Sequence, residues 1–376
     1  MSLQLDEHRS YLADRSRVDA LRRAIHAIVR PGDVVLDLGC GTGLLGLIAC
    51  EAGASRVYAV DDGGMIEIAR AIARASAFAS RITHLPGHST NITLPERAGV
   101  LVFDQIGRFG FEAGLLDLAL DARRRLLQPG ARMMPGPVTL HLALASSREI
   151  RSRIDFWGTK PGGIDASAAR LTAENTGYPI EPHDASLHSA SAALMTLSPS
   201  SWHEEPLEAR VTLHASSAAR IDGLAGWFVA ELAPGITMTN APGDANRIDR
   251  RVAFLPFDRP IDLVAGDALD VSVRLLAADM ILAWEAARPN GADRRAQSTW
   301  KGMLPVRESR LRTRDGAVPV LTARGEARKT VLELCDGARS VEALEHALFL
   351  RHPDLFATER EAAVFAAEVL AIYATT

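Results

Sequence analysis

The sequence predicts an α/β chain: a parallel sheet covered by helices, then a β-rich sheet or barrel, then a small α+β module. Three observations carry this. Apolar strand runs alternate with helical runs from residue 6 to about 142, short β-type runs with Pro-Gly turns follow to about 287, and three helical runs close the chain after residue 326. With 376 residues, 47% of them hydrophobic, the chain can bury a large core and divide into two or three domains.

In the first region, Val34 to Leu38, Arg56 to Val60 and Val100 to Phe103 read as strands, and Leu44 to Glu51 and Leu115 to Leu126 as helices. Runs that are apolar on both faces suit a sheet covered on both sides. In the second, Ala209 to Ala215, Gly226 to Leu232, Arg251 to Leu255 and Leu269 to Leu276 read as strands, separated by turns such as Ala233-Pro234-Gly235 and Ala241-Pro242-Gly243-Asp244. Between these regions, residues 155–182 form a Gly- and Pro-bearing loop around one short helical run, Ala166 to Glu174; a loop this long is an arm that docks on a partner, or is disordered. Residues 288–297 read as a polar linker, and Lys301 to Thr322 as short strands. Helical runs follow at Glu326 to Leu334, Val341 to Arg351 and Glu359 to Ala374, the last opened by a capping box in Thr358-Glu359-Arg360-Glu361.

Composition excludes several classes. A net charge of −4 provides no basic field for nucleic acid. Cys40, Cys50 and Cys335 are scattered, with no C-x-x-C pair or His cluster, so they read as reduced, buried packing residues, with no metal site. The N-terminus lacks a signal pattern and no apolar run approaches the ~20 residues of a membrane span, so the cytoplasm is the default compartment expected, with no membrane partner.

Chemistry concentrates in Val34-Val35-Leu36-Asp37-Leu38-Gly39-Cys40-Gly41-Thr42-Gly43, a strand that breaks into a glycine turn, with Asp61 at the end of the next strand. Gly39, Gly41 and Gly43 let a ligand lie against bare backbone, and Asp61 stands where a ribose offers two hydroxyls. The spacing is G-x-G-x-G rather than the dinucleotide G-x-G-x-x-G, and Asp37 suits an ammonium better than a pyrophosphate. S-adenosylmethionine is therefore expected over NAD.

Over residues 6 to 290 these motifs resemble the protein arginine methyltransferases, class I enzymes with a Rossmann-like cofactor domain and a β-barrel. The resemblance rests on His8 to Arg17, the glycine turn, Asp104 to Glu112, Leu126 to Pro135, and Gly223 to Asp267, above all Gly223-Leu224-Ala225-Gly226-Trp227-Phe228 with Thr239-Asn240-Ala241-Pro242. It implies a cofactor domain over 1–142 and a barrel over 143–290 whose 155–182 arm makes a homodimer. It also implies that Arg17 holds the cofactor's methionine carboxylate, Asp61 its ribose, and Ser89 and Thr90 its adenine.

The same resemblance makes the loop from Asp104 to Glu112 the acceptor site. A guanidinium stays protonated in water, with a pKa above ~12, and has no free lone pair. Two carboxylates can grip it and aim one nitrogen at a methyl group. Glu112 matches the family's second glutamate, Asp104 shortens the first, Arg108 replaces an aromatic, and the loop is one residue shorter. Asp14 matches an aspartate that pairs with a histidine, but the family's Thr-His-Trp falls on Ile248-Asp249-Arg250, so Asp249 stands in the histidine's place. Ser298-Thr299-Trp300 looks similar but reads as lying past the barrel. Asp104, Glu112, Asp14, Asp249 and Arg108 are thus the candidate catalytic residues. Arginine is the first acceptor, with imidazole, amide or carboxylate as alternatives. His8, His88 and His141 are assigned no chemistry.

Residues 303 to 374 resemble the PqqD-type peptide-recognition module, a small winged-helix-like α+β domain, most specifically in Leu334-Cys335-Asp336-Gly337 between two helices. The resemblance implies a domain over 298–376 that binds the leader of a ribosomally synthesised precursor peptide by strand addition, raising the local concentration of its core. A helical cap, a small-molecule methyltransferase and a non-catalytic peptide-binding scaffold are the other readings.

Overall fold

The structure is a computed structural model and describes residues 4–203, 205–276, 281–304, 320–356 and 358–374. The chain divides into two compact units, Met1–Met303 and Leu304–Thr376.

The first unit opens with α1 (Gln4–Ala13) and α2 (Arg15–Ile28) and continues as a five-stranded parallel sheet ordered β3-β2-β1-β4-β5, with β1 (Val34–Leu38), β2 (Arg56–Asp61), β3 (Ile82–Pro86), β4 (Ala98–Val102) and β5 (Leu127–Met134). Helices α3 (Leu44–Glu51), α4 (Met65–Arg74) and α5 (Leu115–Asp121) connect them. Strand order reverses between β1 and β4, and a crevice opens at such a switch point beyond the strands' carboxyl ends. The glycine turn leaves β1 there, and the Asp104 loop leaves β4. Helix α5 runs into a wider turn at Ala122–Leu126 rather than continuing as α-helix.

The predicted barrel is two antiparallel sheets with a shared core. The larger runs β7-β13-β11-β6-β8, with β12 on β11 and β9 on β6; the smaller runs β10-β14-β15-β16. The strands are β6 (Val138–Ser146), β7 (Tyr178–Ile180), β8 (Ser186–Leu187), β9 (Ala192–Leu197), β10 (Leu207–His214), β11 (Ala219–Ala233), β12 (Ile236–Thr239), β13 (Val252–Leu263), β14 (Ala268–Leu276), β15 (Ile281–Ala287) and β16 (Arg295–Ser298). Leu140 and Phe228 of the larger sheet and Val271 and Trp284 of the smaller belong to one buried cluster. The Trp284 indole donates to Pro256 O at 2.8 Å, tying the two sheets.

Three expectations are corrected. The arm is folded: α6 (Arg148–Asp155) and α7 (Ala168–Glu174) cover a cluster with Ile150, Ile154, Trp227 and Phe254, and β7 joins the sheet. The polar linker ends in a strand, because Arg295 is buried and spends its donors on the carbonyls of Arg259, Arg294 and Pro260. Ser298 closes that strand and α8 (Thr299–Gly302) packs on α7, so Ser298-Thr299-Trp300 lies within the first unit.

In the second unit, helices Ala323–Leu334, Val341–Arg351 and Glu359–Tyr373 enclose Val331, Leu344, Leu348, Phe356 and Phe365. The capping box at Thr358 and Glu361 is present in both directions. The turn after the first helix places Gly337 at φ 74°, and Asp336 Oδ1 accepts from the amides of Ala338 and Arg339. Cys335 is exposed rather than packed, whereas Cys40 and Cys50 are buried. The strands expected between Lys301 and Thr322 fall mainly on 305–319, outside the described residues. No helix among the described residues is long and apolar enough to cross a membrane.

Candidate active site

The glycine turn folds back on β2: the amides of Gly39 and Cys40 both donate to Val60 O at 2.9 Å. Gly39 and Gly41 have φ of 71° and 53°, and a Cβ at either would collide, with the Gln105 amide and the His8 ring respectively. They form a cradle of bare backbone, roofed by α1 through His8. Gly43, at φ 81°, faces Ala69 of α4 at the start of α3, so it serves helix packing rather than the cavity wall.

A cavity of about 530 Å³ lies over this turn and takes in Arg17, Gly39, Gly41, Asp104, Arg108, Glu112, Asp249 and Arg250. A second, of about 220 Å³, shares Gly39, Gln105 and Ala113 with it and is lined by Asp61, His88 and Ser89. The Asp61 oxygens accept from the amides of Gly41 and Gly63, each at 2.8 Å. Ser89 Oγ is buried with no hydrogen-bond partner among the described residues. A buried hydroxyl without a partner is costly and marks a place for a ligand atom. Cradle, terminal acid and unpaired hydroxyl fit a nucleoside with a charged tail, in the shape of S-adenosylmethionine.

Four expected site residues sit elsewhere. Asp37 is fully buried beneath the turn, where Oδ2 accepts from Gly46 N at 2.8 Å and Oδ1 has no partner among the described residues. Burial, aided by Asp61, pushes its carboxyl up to about 7. It anchors α3 to β1 instead of meeting an ammonium on the wall. Thr90 is exposed and its hydroxyl engages His88 Nδ1 at 2.9 Å. Asp14 caps α2, with Oδ1 accepting from Arg17 N at 3.0 Å and Oδ2 from Asp249 N at 2.7 Å, so it pins two backbone segments and does not act on an acceptor. Gly43 is the fourth.

The loop from Asp104 to Glu112 is clamped to the barrel. Gly226 leaves room for the Phe109 ring, and Gly110, at φ 99°, sits against Leu140 and Val138 of β6. Asn240, fully buried, completes the clamp: Oδ1 accepts from Phe228 N at 3.0 Å, and Nδ2 donates to the carbonyls of Arg108 and Arg251, each at 2.8 Å. Sequence reading assigned Asn240 no role; an amide inside Thr239-Asn240-Ala241-Pro242 at the end of an apolar strand was the available signal.

Asp104 carries the densest charge. Its Oδ2 accepts from Arg17 Nε at 2.7 Å and Arg250 Nη2 at 3.1 Å, and Oδ1 is buried with no partner among the described residues. Burial alone would push this carboxyl up, but the Arg250 and Arg17 guanidiniums outweigh it and hold it below the ordinary range. Arg17 also donates to Tyr11 O at 3.1 Å and lies over the Tyr11 ring, whose hydroxyl is pushed up to about 12 by burial and its bond to Glu7. Glu112 turns inward: its carboxylate accepts from the amides of Arg108, Phe109 and Phe111. Arg108 and Asp249 are exposed on the rim.

Residues 20–102 match the family model of the ribosomal protein L11 methyltransferase (PrmA). Fold and site thus define a class I methyltransferase whose cofactor is S-adenosylmethionine. Over 271 residues the chain is 31% identical to an arginine N(omega)-methyltransferase of Streptomyces achromogenes subsp. streptozoticus, covering 70% of this chain and 74% of that one. The chain belongs to the arginine N-methyltransferase family. A probable protein arginine N-methyltransferase 6 of Arabidopsis thaliana is 33% identical over 174 residues, 46% of this chain and 40% of its own length. Among solved structures, the Trypanosoma brucei PRMT1 enzyme-prozyme heterotetrameric complex with AdoHcy superposes with a TM-score of 0.68 at 22% identity, covering 77% of this chain and 96% of that one. That likeness confirms the two-part fold of the first unit.

Proposed function

We propose that the protein methylates a side-chain nitrogen of a ribosomally synthesised precursor peptide, with an arginine guanidinium as first acceptor and the peptide's leader held by the C-terminal unit. The observation that supports this acceptor is the guanidinium of Arg250 resting on Asp104 at 3.1 Å, which shows that the loop can hold this group. Relatives named for arginine methylation support the same choice.

S-adenosylmethionine supplies an electrophilic methyl when bound. Arg17 would meet its carboxylate, Asp61 its ribose and Ser89 Oγ its adenine edge. Asp104 and Glu112 grip the acceptor, Glu112 giving up its loop amides to do so, and draw charge away from the nitrogen to be methylated. The leader assignment is supported by the Cys335-Asp336-Gly337 turn between two packed helices. We also propose a homodimer through the arm, where Ile164 and Leu171 are exposed, and a cytoplasmic location.

One observation favours a second reading. Arg108 adds a cation at the rim beside the Asp104 and Glu112 carboxylates, which suits a neutral or anionic acceptor: an imidazole, an amide, a carboxylate or a small molecule. Mass spectrometry of precursor peptides incubated with labelled S-adenosylmethionine separates the readings, with leader and leaderless peptides compared. Methyl groups on arginine, fewer without the leader and none with Glu112→Gln, are expected. Methylation of another residue, or equal yields without the leader, would refute the corresponding half.

A further inference from the structure

Arg250 is the third residue of the segment that replaces Thr-His-Trp, and it is held at three points. Nη2 donates to Asp104 Oδ2 at 3.1 Å, Nη1 donates to Gly107 O at 3.0 Å, and Cζ lies 5.8 Å from the centroid of the Phe228 ring. Its side chain is 14% exposed and that of Asp104 6%. A carboxylate, a carbonyl and an aromatic face are the partners that a substrate guanidinium requires. Two of the three belong to the loop that carries Glu112.

Two details distinguish this from an ordinary structural ion pair. Arg17 already satisfies Asp104 Oδ2 in part, and Oδ1 has no partner among the described residues, whereas a bidentate arginine–carboxylate pair uses both oxygens. Arg250 also borders the open cavity, where the exposed carboxylates of Glu7 and Asp249 can receive its charge once it leaves. The next residue, Arg251, is engaged outside the loop, by Glu181 at 2.6 Å.

We propose that Arg250 is a built-in occupant of the acceptor seat, an intramolecular competitor that an incoming guanidinium must displace. This rests on the reading of the acceptor as a guanidinium. If Arg250 fills the seat for about 90–99% of the time, the apparent affinity of a free acceptor falls roughly 10–100-fold. A tethered acceptor, at an effective concentration of about millimolar, overcomes that penalty. Arg250 thereby sets specificity by delivery: the enzyme modifies guanidiniums that are brought to it and spares those that diffuse past.

The test uses the full chain saturated with S-adenosylhomocysteine, titrated with methylguanidinium by calorimetry. Arg250→Ala should bind this probe at least about tenfold tighter than wild type, and Arg250→Ala combined with Asp104→Asn should lose the gain. Arg250→Gln, which retains a donor for Gly107 O, is measured beside it, so that misfolding of one variant leaves the comparison intact. Equal binding by wild type and both variants overturns the proposal, and if arginine is methylated all the same, the acceptor reading stands without it. Tighter binding by the variants with methylation found only on other residues upholds the occupied seat and refutes the acceptor reading. In the methyl-transfer assay, KM for a leaderless arginine peptide should fall at least about tenfold in Arg250→Ala, with a smaller change for the leader-bearing peptide.

Discussion

Replacing Asp37 by Asn should change how the stability of the first unit depends on pH. The wild-type carboxyl is fully buried and pushed up from the ordinary 3.8 to about 7. Between those values the folded state holds a proton that the unfolded chain has released, so stability is greatest below the ordinary value and falls as pH rises to about 7. A shift of about 3 units corresponds to at most about 4 kcal/mol, of which about 3 kcal/mol is lost between pH 5 and pH 8. The Asn side chain keeps an acceptor for Gly46 N and puts an amide donor where Oδ1 has no partner among the described residues. That mismatch costs about 1–3 kcal/mol at every pH and drops out of the comparison. Urea unfolding of the cofactor-free protein followed by tryptophan fluorescence isolates the relevant unit, since all five tryptophans, at 157, 202, 227, 284 and 300, precede residue 304. The variant should lose about 3 kcal/mol less than wild type between pH 5 and pH 8. Parallel losses in the two proteins would refute the buried, proton-holding carboxyl.

Arg17→Lys should weaken cofactor binding roughly tenfold, because a point charge cannot serve Asp104, Tyr11 O and a ligand carboxylate together; titration with S-adenosylhomocysteine reads the loss. Asn240→Ala leaves a buried amide and two carbonyls unpaired and should destabilise the first unit by about 2–4 kcal/mol while lowering activity through the loosened loop, read by unfolding and turnover on the same preparation. Truncation after Asn290 should give an unstable protein, because it removes β16 and the buried Arg295, whereas truncation after Met303 should leave the first unit folded; thermal unfolding of both checks this.

The strand–turn–helix from Val34 to Glu51 was legible residue for residue, since a strand buried on both faces and a run of glycines are local signals. Helix ends with side-chain caps, such as Thr358, were equally plain. Arg295 and Gln297 were misread as linker because polarity usually means exposure, and the carbonyls that satisfy Arg295 are about 35 residues away in sequence. The same limit applies at the site. Asp104 and Glu112 were singled out from their motif, but the partners of Asp104 at positions 17 and 250 meet it only through the tertiary fold. Asp37 was recognised as unusual and given the wrong neighbour: the strand pattern places it at the turn without saying whether it points up to a ligand or down to α3.

Asp14 ties the start of α2 to the barrel segment that carries Arg250. One oxygen fixes the start of α2, from which Arg17 reaches the cofactor side, and the other holds the backbone of Asp249, next to Arg250. With the proposed roles of Arg17 and Arg250, loading of the methyl donor and clearance of the acceptor position would be joined at this one carboxylate. The expected kinetic signature is an obligatory order of addition, donor first, with Asp14→Ala relaxing it toward random order. Product-inhibition patterns that are random in the unaltered protein would show that the joint transmits nothing.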